Sequence, residues 1–286
     1  MKGRQHGTKS WRRRVRLVQR GMVAALQQPA PVSWSVAEPR RSGDFDKQSI
    51  VVTGAAGLIG SHLVDAFVAA GAFVHAIDID EQGLADAQGK RSVADAARVH
   101  DHVLDLADLD AVQELATSIS TVDVVVNNAG HNDWVADIAE ITPESFRRML
   151  DVNVVGPSTL TAGLVKPLAA GGGGAVVFVT SIHSMSSSRF PQYGSAKAAL
   201  SKLTIDLAAG LAPKGIRVNA VAPGWVADSV GDQNVRWAPR QILGASAIPV
   251  EAIGHAVMFL ADRYRSPMTT GQELVVDGGA LLATPH

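Results

Sequence analysis

Tyr193-Gly194-Ser195-Ala196-Lys197 sets a phenol and an ammonium four residues apart, which on a helix means one face and one turn. A cation held there favours the phenolate and draws a tyrosine from about 10 toward the working range of a general base. Ser181 lies a short way upstream. Tyr and Lys at this spacing also occur on ordinary solvated helices, so the pair gains meaning only from its surroundings.

The first of these is Thr53-Gly54-Ala55-Ala56-Gly57-Leu58-Ile59-Gly60, directly after the β-branched run Ser49 to Thr53. Gly54 suits a tight turn, and Gly57 lets backbone approach a pyrophosphate. Gly60 lets helix and strand pack closely, with the helix N-terminus toward the phosphates. Ala56, Leu58 and Ile59 fill the rest of that contact surface. A plain glycine-rich βα turn is the alternative. Asp78 ends the next strand, where a carboxylate accepts from ribose hydroxyls and repels a 2′-phosphate. Neither Lys nor Arg falls between Thr53 and Glu81, so NAD is expected over NADP. A solvated loop acid or a helix cap is the other reading of Asp78.

Composition narrows the class. Hydrophobic residues make up 47% of the 286 and charged residues 19%, which suits one well-filled α/β domain. A net charge of −1 gives no field toward nucleic acid or an acidic membrane. No cysteine is present, which excludes disulfides, zinc-thiolate sites and thiol catalysis. No apolar run approaches the roughly 20 residues of a membrane span, so a soluble chain is expected. Residues 1–47 stand apart: Lys2 to Ala37 holds no acid, Arg12, Arg13, Arg14, Arg16 and Arg20 crowd together, and Pro29, Pro31 and Pro39 follow. They fit a disordered basic extension, a start upstream of a true initiator at Met22, or a transit peptide. The expected location is cytoplasmic, or an organelle if the segment is a transit peptide.

From residue 48 onward short β-branched runs alternate with amphipathic stretches, the pattern of parallel βαβ units. Strands are expected at Ser49 to Thr53, Phe73 to Ile77, His102 to Leu104, Asp123 to Val126, Ala175 to Val179, Ile216 to Val221 and Glu273 to Val276. Helices are expected over Leu58 to Ala70, around Leu109 to Ser118, from Pro143 after a Thr142 cap, through Tyr193 and Lys197, and over Val250 to Ala261. Residues 48–286 then form a single domain: a doubly wound, mostly parallel, seven-stranded Rossmann sheet in three α/β/α layers.

Further motifs follow in order: Asp105-Leu106, Asn127-Asn128-Ala129-Gly130, Asp151-Val152-Asn153-Val154-Val155-Gly156, Val218 to Val226 with Pro223-Gly224, and Val276-Asp277-Gly278-Gly279. With these in place the chain resembles the short-chain dehydrogenase/reductase family over nearly all of residues 48–283. The resemblance implies an NAD-dependent oxidoreductase that interconverts a secondary alcohol and its ketone, on a sugar, polyol, hydroxy acid or steroid-like substrate. It implies Tyr193 as general acid/base, Lys197 as modulator of Tyr193 and ribose ligand, Ser181 as partner of the reacting oxygen, and Asn153 as holder of a relay water. It assigns cofactor contacts to Asp105, Leu106, Asn128, Ala129, Gly130, Pro223, Gly224 and Val226 beside the glycine loop, and implies a homotetramer or homodimer. His131, His183 and Trp225 fall where family members line the substrate cleft, with Trp134 and Arg189 at its edge. Simple loop polarity is the alternative for the two histidines. The histidines show no ligand spacing, so no metal is expected.

The chain departs from the family pattern in three places. The usual glycine spacing wants glycine at Leu58, and this chain has Gly57 instead. The usual count back from the tyrosine lands on Thr180, whereas the local pattern favours Ser181. Asp228 and Ser229 stand where a threonine commonly holds the nicotinamide carboxamide, inside an expected lid from Asp228 to Ala247. Other readings are a 3-oxoacyl thioester reductase, disfavoured by Asp78, and a non-catalytic NAD-sensing protein on the same fold.

Overall fold

The computed structural model describes residues 45–227, 241–243 and 247–283. Residues 1–44, Asp228 and Ser229, and most of the expected lid lie outside the described residues. The first elements follow the alternation read from sequence: β1 (Ser49–Thr53), α1 (Leu58–Ala69), β2 (Phe73–Asp78), α2 (Glu81–Lys90), β3 (Val99–Val103), α3 (Leu109–Ser118) and β4 (Val124–Asn127). Next come α4 (Pro143–Leu150), α5 (Gly156–Ala170), β5 (Ala175–Val179), α6 (Pro191–Leu211) and β6 (Arg217–Pro223). Two short strands, β7 (Val226–Ala227) and β8 (Ile248–Pro249), precede α7 (Val250–Ala261) and β9 (Glu273–Val276).

Seven strands form one parallel sheet in the order β3-β2-β1-β4-β5-β6-β9. Such a sheet is covered on both faces, so its central strands are apolar at every position rather than at alternate ones. Ile50, Val52, Val124, Val126 and Val177 point into the layer shared with α1 and α7. Val51, Val125, Val176 and Phe178 point into the layer shared with α3, α5 and α6. The strand order reverses at β1/β4, and there the carboxyl ends of the strands open a crevice.

Three local features position the later chemistry. Thr142 caps α4 by accepting from the Ser145 N–H, with Pro143 in the first turn, as its sequence suggests. Between α4 and α5 the chain widens into a π turn over Asp151–Val155. Pro157 has no N–H to return to the Asn153 carbonyl four residues earlier, so an ordinary α-helical bond cannot form there. In α6 the buried positions Gln192, Ala196, Leu200, Thr204 and Ala208 recur every fourth residue, and Lys197 joins that inner side.

Some boundaries differ from expectation. β3 begins at Val99 rather than His102, because it pairs with β2 from Val74 to Asp78 as an edge strand that tolerates polar residues on one face. α2 and the β7–β8 pair were not anticipated: α2 buries only Leu84 and so shows no apolar stripe, and two-residue strands carry no periodicity.

At the β2–β3 edge, His75 Nδ1 lies 3.0 Å from His102 Nε2, and the His75 ring stacks with those of His100 and His102. Burial, then the neighbouring imidazoles His102 and His100, depresses His75 to about 4. Burial and His100 depress His102, against a smaller pull from Asp101. A histidine depressed on folding contributes stability above its unfolded value near 6.5 and loses it as pH falls toward the folded value. The melting temperature should therefore decline between pH 6.5 and 5, ahead of the carboxylates. Replacing His75 and His102 together by Phe should flatten that part of the curve in calorimetry. An unchanged slope in the double variant would contradict the account.

Candidate active site

The crevice is closed from below by the glycine turn. Gly54 has a left-handed φ of 68°, and a Cβ there would meet Ala129 Cα and Asn128 Nδ2 at 2.8 Å. A Cβ on Gly60 would fall 1.8 Å from the Gly54 carbonyl oxygen, so Gly60 serves helix–strand contact and not the groove itself. Asn128 locks β4 to β1: its side-chain amide donates to the Thr53 and Gly54 carbonyls, while the Asn128 and Ala129 N–H groups donate to the Thr53 hydroxyl. The α1 N-terminus has no side-chain cap and no acid in its first turn, which leaves its N–H groups and positive dipole end for an anion.

A groove of about 730 Å³ runs over this turn, lined by Gly54, Ala56, Gly57, Leu58 and Ile59, and by Asp78 on one side and Asn128, Ala129 and Gly130 on the other. Asp78 accepts from the Ala56 N–H (2.9 Å) and the Asp80 N–H (3.0 Å). A carboxylate has about four acceptor positions, so two remain for hydroxyl groups. Asp105 and Leu106 also line the groove, together with Arg148. Burial alone would raise the Asp105 carboxyl. Its hydrogen bonds from Arg148 and the Ala107 N–H outweigh that and hold it below the usual carboxylate range. Arg148 was missed from sequence because nothing local distinguishes it from a solvated helix arginine. A groove with an uncapped helix end, a close glycine approach and a strand-end carboxylate fits a nicotinamide dinucleotide.

A second cavity, of about 530 Å³, opens beside Gly130, Pro223, Gly224 and Val226 and holds Ser181, Tyr193 and Lys197. Ser181 follows β5 in extended conformation, accepts from the His183 N–H and hydrogen-bonds with the Tyr193 side chain. Thr180, its neighbour, is committed elsewhere: its hydroxyl lies 3.0 Å from the Val221 carbonyl oxygen and also contacts the Glu273 carboxylate. Of the two candidates, the structure brings Ser181 to the tyrosine. Glu273 Oε1 also accepts from Ser201 Oγ at 2.8 Å and Ser184 Oγ at 3.3 Å. One carboxylate therefore ties the end of β5, the turn after it and α6 together, a role that no motif signalled.

Lys197 is 2% exposed and donates from Nζ to the Val179 carbonyl oxygen at 2.9 Å. Burial lowers its ammonium to about 8. Its Nζ lies 5.7 Å from the Tyr193 ring centroid. The largest influence on Tyr193 is burial rather than Lys197. Burial pushes the phenol above its ordinary range, and the Ser181 hydrogen bond offsets that only in part.

Asn153 is fully buried. Its amide nitrogen donates to the His131 and Met149 carbonyls, and its amide oxygen accepts from the His131 N–H at 3.2 Å. Its side chain thus pins the His131 loop, so the side chain is not where a relay water would sit. His131, His183 and Trp225 all line the second cavity. The His183 ring stands edge-on to Tyr193 at 6.2 Å, and burial lowers its pKa. Among the described residues no group of three or more His, Asp or Glu could hold a metal ion, and no helix is long and apolar enough to cross a membrane.

Comparison with known proteins agrees with this arrangement. A family profile described as enoyl-(acyl carrier protein) reductase matches residues 54–280. The 3-alpha-(or 20-beta)-hydroxysteroid dehydrogenase of Mycobacterium tuberculosis is 37% identical over 84% of this chain and 91% of its own length. The cis-4-hydroxycyclohexanecarboxylate dehydrogenase of Sinomonas cyclohexanicum is 34% identical over 82% and 97%. In structure, carveol dehydrogenase from Mycobacterium avium in complex with NAD superposes with a TM-score of 0.74 at 24% identity, over 83% of this chain and 99% of that one. The fold, the order of the motifs and these relatives together make the chain a member of the short-chain dehydrogenase/reductase family.

Proposed function

We propose that residues 48–286 form an NAD-dependent dehydrogenase/reductase that interconverts a secondary alcohol and its ketone, with Tyr193 as the acid/base. The observation that carries this reading is the hydrogen-bonded Ser181–Tyr193 pair in a cavity that adjoins the dinucleotide groove. Two hydroxyls converging there address one substrate oxygen, which suits a C–OH/C=O couple. The similarity to two dehydrogenases of cyclic alcohols supports the same reaction class.

Oxidation removes a proton from the alcohol oxygen and a hydride, with both electrons, from its carbon. The glycine turn, Asp78 and the Asn128 to Gly130 segment would hold NAD, which would supply the hydride acceptor. Tyr193 takes the hydroxyl proton, and in reduction it returns that proton to the nascent alkoxide. Ser181 donates to the same oxygen and fixes its distance from the phenol. Lys197, anchored on Val179, supplies positive charge beside the phenol and a donor toward the ribose side of the cavity. Such acid–base help is worth about 10²–10⁴-fold, the rest coming from orientation. Asp78 supports NAD over NADP, since its charge opposes a 2′-phosphate and Arg148, the arginine lining this groove, is already paired with Asp105.

Tyr193→Phe should lower kcat by at least about 10²-fold while NADH binding, followed by fluorescence, stays near wild type. Appreciable residual turnover would end the mechanism. Asp78→Asn should narrow the NAD preference by about tenfold or more, because one repelling charge is removed. A wild-type enzyme that prefers NADP would refute the assignment to NAD. Because burial keeps the phenol protonated at neutral pH, it is ready as an acid there and becomes a base only as pH rises. Alcohol oxidation should therefore accelerate from pH 7 to 9, whereas ketone reduction, served by a phenol that stays protonated across that range, should change little. A flat oxidation profile would contradict Tyr193 as the titrating group.

A further inference from the structure

The mouth of the second cavity carries an aromatic pair that the chemistry above does not use. Trp134 and Phe190 meet edge to face, with ring centroids 5.1 Å apart at 87°. Both line the cavity, yet Trp134 is 63% exposed. Its backbone is left-handed (φ 59°), a conformation that among the described non-glycine residues only Lys47 shares. A bulky residue adopts it only where its surroundings impose it. Those surroundings are visible. Asn132 Oδ1 accepts from the Trp134 N–H at 3.0 Å, and Asp133 Oδ1 accepts from the amide of Gln192 at 2.7 Å. Gln192 is buried and immediately precedes Tyr193 on α6. The loop that presents Trp134 is thereby tied to the helix that presents the phenol.

From this geometry we infer that Trp134 and Phe190 form a specificity rim that selects a neutral, apolar, ring-bearing secondary alcohol over a polyol or an anionic substrate. The inference rests on the proposed alcohol–ketone reaction at Tyr193 and names its substrate class. A flat aromatic face gains most from an extended hydrocarbon ring, by area removed from water and by ring–ring dispersion. Ile182 and Val226 continue that apolar wall. A polyol pressed against it would leave hydroxyls desolvated and unpaired, which is costly. The only charged side chain among the described lining residues is Lys197, 2% exposed and bonded to the Val179 carbonyl, so its ammonium addresses the reacting end of a substrate beside Tyr193 and not the part that lies on the rim.

The test is steady-state kinetics with NAD on trans-2-decalol, 2-butanol and xylitol, for wild type, Trp134→Ala and Trp134→Phe. Wild type should favour decalol over xylitol by at least about 100-fold in kcat/KM. Trp134→Ala should lower the decalol to 2-butanol ratio by about tenfold or more, mainly through the KM for decalol, and Trp134→Phe should recover most of that loss. A preference for xylitol overturns the inference. So does an equal loss on decalol and 2-butanol in Trp134→Ala, which would mark Trp134 as a loop-positioning residue. If no alcohol is turned over with NAD or NADP, the proposed reaction itself fails. Calorimetry with trans-2-decalone and cofactor-loaded protein then decides the rim separately: tenfold weaker binding in Trp134→Ala supports it, and no binding by wild type overturns it.

Discussion

Every distance at this site is measured from the junction of β1 and β4. There the strand order reverses, and Asn128 and Ala129 fasten the two strand ends with four hydrogen bonds to Thr53 and Gly54. The glycine turn grows from one strand of that junction and the Ala129 to His131 segment from the other. Asn153, fully buried on the π turn, extends the same bracing by binding both backbone groups of His131. Satisfied buried amides of this kind are stiff, because breaking one leaves a polar group without water or partner. The crevice is therefore a fixed frame, and the second cavity is hung on it.

Burial governs the electrostatics of the second cavity more than pairing does. The Lys197 ammonium is nearly inaccessible to water, and the Tyr193 phenol is held in its neutral form. Neither gains much from the other at 5.7 Å from ammonium to ring centroid. A pair of this kind is responsive: a cationic group arriving in the adjoining groove changes the local field on a phenol that water screens poorly.

Much of this was legible before any coordinates. β1, β5, α3, α7 and β9 fall where periodicity and β-branched runs put them, because each buries a face that the sequence spells out locally. The glycine turn, Asp78 and the Tyr193–Lys197 spacing are short-range patterns and were found the same way. What escaped depends on partners far along the chain. Local pattern already favoured Ser181, but the reason Thr180 is turned away lies in Glu273, 93 residues on, and the direction of the Tyr193 shift turned on burial that spacing cannot report. Arg148, Gln192 and the Trp134 backbone are ordinary residues until the fold brings Asp105, Asp133 and Phe190 to them. Local sequence carries the scaffold and the reacting groups, while tertiary contact decides their charge states and the shape of the entrance.

The carboxylate of Glu273 has a consequence for how the protein is made. It follows Thr180 by 93 residues and Ser201 by 72, and it belongs to the sheet's last strand in chain order. A nascent chain can close the glycine turn on β4 with less than half of its length synthesised. The hydroxyls of Thr180, Ser184 and Ser201 must wait for their common acceptor until almost the whole chain is available. The segment around the glycine turn draws on contacts made early in the chain, whereas the surroundings of Ser181 and Lys197 are complete only once β9 is in place.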